Sequence, residues 1–231
     1  MASSTTHDTD APLEGTSGIK SIIKNVQENP GMYIASVVIV LGVFIGSALF
    51  RLNTDLEAQE QASVYAEAMD VDDPTERIAA LGVVADSGSK YAAEARYLQG
   101  FTAMDAEDYA TAEIAFTDLR ENNADFEFTP DALEGLGTIR EIEGDYAGAV
   151  SVYTEIMTTW PDSFAARRQP FNIGQCHEKN GAVGEAVKAY QEQLAKFPGS
   201  YVAQRAEVEL NRLQAEDPGL DTESDLLTVV E

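Results

Sequence analysis

Cysteine, histidine, tryptophan and lysine are all scarce in this sequence: one Cys, two His, one Trp and six Lys in 231 residues. A single cysteine, Cys176, excludes an intrachain disulfide and any multi-cysteine metal site. Its position two residues after Gly174, in an apolar-patterned stretch, suits a small core residue; a free thiol or an intermolecular bridge is the alternative. His177 is the only histidine beyond His7. No Walker loop, GxGxxG, HExxH or pair of Cys or His at metal-ligand spacing is present. The sequence therefore assigns no catalytic residue, no cofactor-binding residue and no metal ligand, and the chain reads as a protein other than an enzyme.

Positive charge is equally sparse. Fifteen Lys and Arg face forty Asp and Glu, for a net charge of −25. Residues 52–231 carry twelve of the basic and thirty-six of the acidic groups, so nearly all of the imbalance lies beyond Arg51. Such a field repels phosphate backbones and anionic lipid, which argues against nucleic acid as a partner. A solubilising surface and a dedicated acidic docking face are the two readings of it.

Charge is missing altogether from Met32 to Phe50, a run of 19 residues. At 1.5 Å per residue it reaches about 28 Å, close to the hydrocarbon thickness of a bilayer. Eleven of the nineteen are Ile, Leu, Val or Phe. At roughly −0.3 to −0.6 kcal/mol each they outweigh two Gly and two Ser, so residues 32–50 are expected to form a transmembrane helix. A cleaved signal peptide competes, with GSA at Gly46 to Ala48 as its cleavage site. The run is too long for one, its leading tail is net acidic, and Arg51 follows at once. Lys20 and Lys24 precede the span and only Arg51 follows it before Arg77, which favours a cytoplasmic N-terminus. Gly42 and Gly46 form a GxxxG, a motif that can pair transmembrane helices.

Ahead of the span, residues 1–16 lack apolar periodicity and read as a disordered tail. Residues 17–29 place Ile19, Ile22, Ile23 and Val26 at helical spacing opposite Lys20 and Lys24, a short amphipathic helix suited to a membrane surface or to a simple helical lead-in.

Beyond the span the chain repeats. Stepping by 37 residues, Gly100, Gly137 and Gly174 coincide, as do Ala112, Ala149 and Ala186, then Phe116, Tyr153 and Tyr190. Ser89, Ser163 and Ser200 hold one phase, and Pro161 and Pro198 another. Each unit carries two helical patterns joined by a short turn, such as EGDY before Ala147. Small residues at Gly137 and Ala149 let two backbones approach while Tyr153 fills the adjoining space. One helix pair cannot cover its own apolar face, so the units must stack.

This pattern resembles the tetratricopeptide repeat, lengthened by about three residues from the usual period of about 34. Arg96, Leu133 and Pro170 stand where that family often has Trp, and Ala124 where it has Pro. The resemblance implies an all-α fold: one N-terminal transmembrane helix, then an α-solenoid of helix–turn–helix repeats closed by a C-terminal capping helix. The expected segments are a degenerate first helix pair at 52–87, a repeat domain at 88–215 with three repeats and the cap, and an acidic disordered tail at 216–231.

It also implies a groove lined by the first helix of each pair, where the family receives peptides. Carried over by phase, the groove takes Tyr97, Phe101, Met104, Glu134, Thr138, Phe171 and Gln175. The layout of tail, single span, immediate Arg and repeats is similar to the periplasmic tetratricopeptide ancillary subunits of the bacterial Sec translocon and to related envelope-assembly proteins. That likeness implies a protein or peptide partner, chaperone-like or scaffolding work in translocation or envelope assembly, and a periplasmic repeat domain on the inner membrane. A self-associating adaptor, a homo-oligomer helped by the GxxxG, is the second reading. An inverted layout with cytosolic repeats, as in N-terminally anchored mitochondrial import receptors, is the third.

Overall fold

The computed structural model describes residues 15–220, excluding the side chains of residues 15–19 and Ser21. Most of the tail expected at 1–16, and residues 221–231 of the tail expected at 216–231, lie outside the described residues. Among those described, all regular structure is helical, as the 37-residue pattern requires. By its internal contacts the chain divides into two units, residues 1–59 and 60–231.

In the first unit, α1 (Gly15–Glu28) carries exposed Ile22, Ile23 and Val26, with Lys24 pairing Glu28 at 3.7 Å. Asn29 separates it from α2 (Pro30–Met69), whose Pro30 needs no hydrogen-bond partner in a first turn. Among the described residues one helix, α2, is long and apolar enough to cross a membrane. Ser36 Oγ and Ser47 Oγ donate to Met32 O and Phe44 O within α2, so each hydroxyl is satisfied inside the apolar run.

The second unit is built of helix pairs. α3 (Pro74–Ala85) starts on Asp73, whose carboxylate accepts from Glu76 N at 2.9 Å. Its buried Leu81 and Val84 join Ala68 and Ala95 in one small cluster. Three hairpins follow: α4 (Ala92–Asp105) with α5 (Tyr109–Asn122), α6 (Thr129–Ile142) with α7 (Tyr146–Thr159), and α8 (Gln169–Lys179) with α9 (Val183–Lys196). The last helix, α10 (Tyr201–Glu216), packs on α9 and closes the stack.

The turn inside each hairpin is the same. Asp108 N, Asp145 N and Ala182 N donate to Ala103 O, Arg140 O and His177 O, each at 2.8 Å, closing one Schellman-type turn per repeat. The residue before each adopts a left-handed backbone: Glu107, Gly144 and Gly181, with φ of 59°, 79° and 77°. Asp108 and Asp145 then cap the following helix by accepting from Thr111 N and Gly148 N; Ala182 has no side chain to do so.

Packing between the helices of a hairpin rests on one glycine and one ring. A Cβ at Gly100, Gly137 or Gly174 would overlap Phe116, Tyr153 or Tyr190 respectively. Those three rings are fully buried beside Ala112, Ala149 and Ala186. Burying each ring contributes about 1.5–3 kcal/mol, and only glycine leaves room for it. Three buried glutamines serve the backbone. Gln193, for example, accepts from Phe171 N and donates to Arg167 O, satisfying the start of α8 from the neighbouring helix.

Candidate groove on the first-helix face

First helices α4 and α6 touch directly, and Gly135 is what lets them. A Cβ there would lie 2.7 Å from the Phe116 ring and 3.3 Å from Met104 Sδ. Between α4, α6 and the start of α8 opens a cleft of about 440 Å³. Tyr97, Phe101 and Met104 form its apolar side. Asp131, Glu134, Thr138, Glu141 and Tyr153 form the opposite side, with Arg168 and Asn172 closing one edge.

The apolar side is one aromatic network. Tyr97 stands 4.8 Å from Phe101 and 5.4 Å from Phe128 by ring centroids, and Phe101 lies 5.0 Å from buried Phe116. Phe128, in the turn before α6, is 43% exposed. Partial burial pushes the Tyr97 hydroxyl above its ordinary range, and nearby Asp131 adds to the shift. That hydroxyl stays neutral, and the side remains apolar with a polar tip.

On the polar side the groups are tied to one another. Arg168 donates through Nε to Glu134 at 2.6 Å and through Nη2 to Asp131 at 2.9 Å. Asn172 donates to Glu134 at 3.1 Å, and Tyr153 OH to Glu141 Oε1 at 2.7 Å. Lys179 reaches Glu141 Oε2 from the rim at 2.7 Å. These links hold α8 onto α6 and fix the carboxylates in place.

Of the residues expected to line a groove, Tyr97, Phe101, Met104, Glu134 and Thr138 surround this one cleft. Phe171 does not, and that expectation is corrected: it is 1% exposed, packed 5.5 Å from Tyr190 and covered by the Arg205 guanidinium at 4.4 Å. The capping helix supplies Arg205, so the face that stays open in earlier repeats is closed in the last. Gln175 is half-buried on α8, outside the cleft.

Gly135, Tyr153 and Asn172 are lining residues that sequence reasoning missed, and it also missed Phe126 and Phe128, whose rings back Tyr97 from outside the lining. Two phenylalanines in the otherwise polar turn NNADFEF were the available signal. Gly42 and Gly46 lie on an open face of α2, where an added Cβ meets nothing within 4 Å.

Cys176 is fully buried, and burial, reinforced by Glu141, pushes its thiol up to about 12. A thiol held neutral in this way is a packing residue at neutral pH. Among the described residues, no group of three or more His, Cys, Asp or Glu side chains is arranged to hold a metal ion.

The sequence fits the family model described as "Tetratricopeptide repeat-like domain" over residues 26–215, a match that takes in α2 as well as every helix pair. No curated protein shows significant similarity to the chain. Stacked hairpins in a constant 37-residue phase and a match over most of the length agree: this chain belongs to the tetratricopeptide repeat-like domain family.

Proposed function

We propose that this is a membrane-anchored binding protein whose first-helix groove receives a segment of another polypeptide, in chaperone-like or scaffolding work in protein translocation or envelope assembly. The family's fold supports protein–protein interaction, and α2 meets the requirements of a membrane span. The proposal adds the place: an inner membrane, the N-terminus in the cytoplasm and the repeats in the periplasm. It rests on the asymmetry of Lys20 and Lys24 against Arg51.

One observation carries the binding role: Tyr97, Phe101 and Met104 face a cleft of about 440 Å³ that no helix among the described residues fills. Adaptable apolar side chains of this kind recur at sites that accept varied polypeptide. In the full chain in membranes, a photo-crosslinking residue at Thr138 should capture polypeptide. Tyr97→Ser with Phe101→Ser should weaken that capture while circular dichroism stays helical. Unchanged capture would end the groove assignment. A reporter fused after Glu231 tests the orientation.

A self-associating adaptor is the second reading, favoured by the open Gly42–Gly46 face. Crosslinking between copies that vanishes on Gly42→Leu would support it over a client-binding role.

A further inference from the structure

Within the repeats one position pair differs in a way that gives the groove a direction. In the second and third hairpins the buried ring is a tyrosine that donates to a first-helix glutamate: Tyr153 OH to Glu141 at 2.7 Å, Tyr190 OH to Glu178 at 2.8 Å. In the first hairpin, at the same phase, the pair is Phe116 and Met104. One repeat later, Phe101 gives way to Thr138 and Tyr97 to Glu134. Carboxylates are thus removed from one end of the cleft and concentrated at the other.

The polar end is net negative. Asp131, Glu134 and Glu141 line the cleft against Arg168, with Lys179 on Glu141 at the rim, a balance of three negative charges to two positive. Among the described residues, every cation of the repeats already has an acidic, carbonyl or aromatic partner. Arg168 and Lys179 are paired with these acids, and Arg96, Arg120, Arg140 and Arg212 bridge other carboxylates. Lys188 and Lys196 pair within their own helix, Arg77 donates to Val71 O, and Lys90, Arg167 and Arg205 lie over aromatic rings. An acidic segment or a chain-terminal carboxylate would meet net repulsion, since the two cations at the cleft are already paired with its acids. A basic segment would be drawn in by a surface with thirty-six acids to twelve bases.

Resting on the groove reading above, we infer that the occupant is an extended segment of another protein in which an aliphatic or aromatic residue adjoins Lys or Arg. The apolar side chain seats against Tyr97, Phe101 and Met104, and the cation meets Asp131 and Glu134. Selection is by composition, since the apolar contacts are adaptable and the carboxylates read charge alone.

The test uses the full chain in nanodiscs of neutral lipid and three fluorescent decapeptides on one Gly/Ser background. Their centres are Leu-Lys-Phe-Arg, Leu-Glu-Phe-Asp and Ser-Lys-Ser-Arg, and binding is read by polarisation. The first should bind about tenfold or more tightly than either of the others, a margin of about 1.4 kcal/mol or more. Its affinity should fall severalfold between about 0.05 and 0.5 M NaCl. Asp131→Asn should weaken the two peptides that carry Lys and Arg and spare the acidic one, and Phe101→Ala should weaken both peptides that carry Leu and Phe. Retained helicity and Trp160 fluorescence certify each variant as folded. Equal binding of the acidic and basic apolar peptides, both lost on Phe101→Ala, would overturn the charge selection and leave the groove standing. Binding indifferent to Phe101→Ala and Tyr97→Ser would overturn both.

Discussion

Gly137 offers the sharpest test of how the repeats are held together, because the same substitution at Gly184 should act in the opposite direction. An alanine Cβ at 137 would overlap the edge of the Tyr153 ring, lying 2.7 Å from Cζ and 2.8 Å from Cδ1. The ring has nowhere to go: it is 1% exposed, and its hydroxyl is tied to Glu141 at 2.7 Å. Helix propensity favours Ala over Gly by about 1 kcal/mol. Overpacking costs about 1–3 kcal/mol, and a displaced hydroxyl forfeits a bond to a charged acceptor of about 1.5–3 kcal/mol. Gly137→Ala should therefore destabilise by about 2–4 kcal/mol. Gly184, exposed in the first turn of α9 with nothing within 4 Å of an added Cβ, should gain about 0.5 kcal/mol on the same change. Urea unfolding followed by the single Trp160 reads both, since its indole donates to Ala124 O across the repeat junction. In a Tyr153→Ala background Gly137→Ala should lose most of its penalty, a coupling of about 2 kcal/mol. A stable Gly137→Ala single variant, or no coupling, would refute the glycine-and-ring account.

Glu107→Gly should stabilise the domain by about 0.5–1 kcal/mol, because Glu107 holds φ at 59° where the later repeats use glycine; a lower urea midpoint would contradict this. Cys176 should resist alkylation in the folded protein at pH 8 and react fully in urea, tracking the Trp160 transition; labelling of native protein within minutes would place the thiol outside the core. Tyr65 is pushed up to about 12, first by burial and then by its hydrogen bond to Glu94, so its folded pKa lies above the unfolded value near 10. Its contribution is whole below about pH 10 and is lost as pH rises towards 12. Tyr65→Phe should flatten the alkaline loss of stability in that window and remove one late tyrosinate step at 295 nm.

The fold was legible because its packing unit is short and recurs in phase. Gly100, Gly137 and Gly174 each face a ring one helix later, and that pairing survives translation along the chain unchanged. The groove was legible only while the repeats stayed alike. Phe171 shares the phase of Tyr97 and Glu134, and phase alone placed it on the open face. What covers it is Arg205 of α10, which falls in the phase of Asp131 and Arg168, so a position that lines the cleft in earlier repeats reaches back over the ring in the last. Phe126 and Phe128 escaped for the converse reason. They belong to the turn, where no helical period exists to assign them a side, and their position follows from the three extra residues that widen each junction.

Charge sets the fold and the proposed binding against each other, and salt separates them. Eight of the twelve cations beyond Leu52 are in ion pairs, several joining one helix pair to the next: Arg120 to Glu155, Arg140 to Glu113, Arg168 to Glu134, Arg212 to Glu178. All are partly exposed, and such pairs contribute about 0–1 kcal/mol each, a sum that grows with the number of cations. Repulsion among the excess acids grows instead with the number of pairs, at roughly 0.4 kcal/mol for two charges 10 Å apart in water before screening. With thirty-six acids against twelve bases the repulsive sum dominates. Moving from about 0.01 to 1 M NaCl shortens the screening length from about 30 to about 3 Å and removes it. The urea midpoint should therefore rise with NaCl even as every bridge weakens. The same screening should release a cationic peptide from the cleft, so stability and affinity should move in opposite directions along one salt series. A midpoint that falls with salt would mean that the bridges, rather than the buried rings, hold the repeats together.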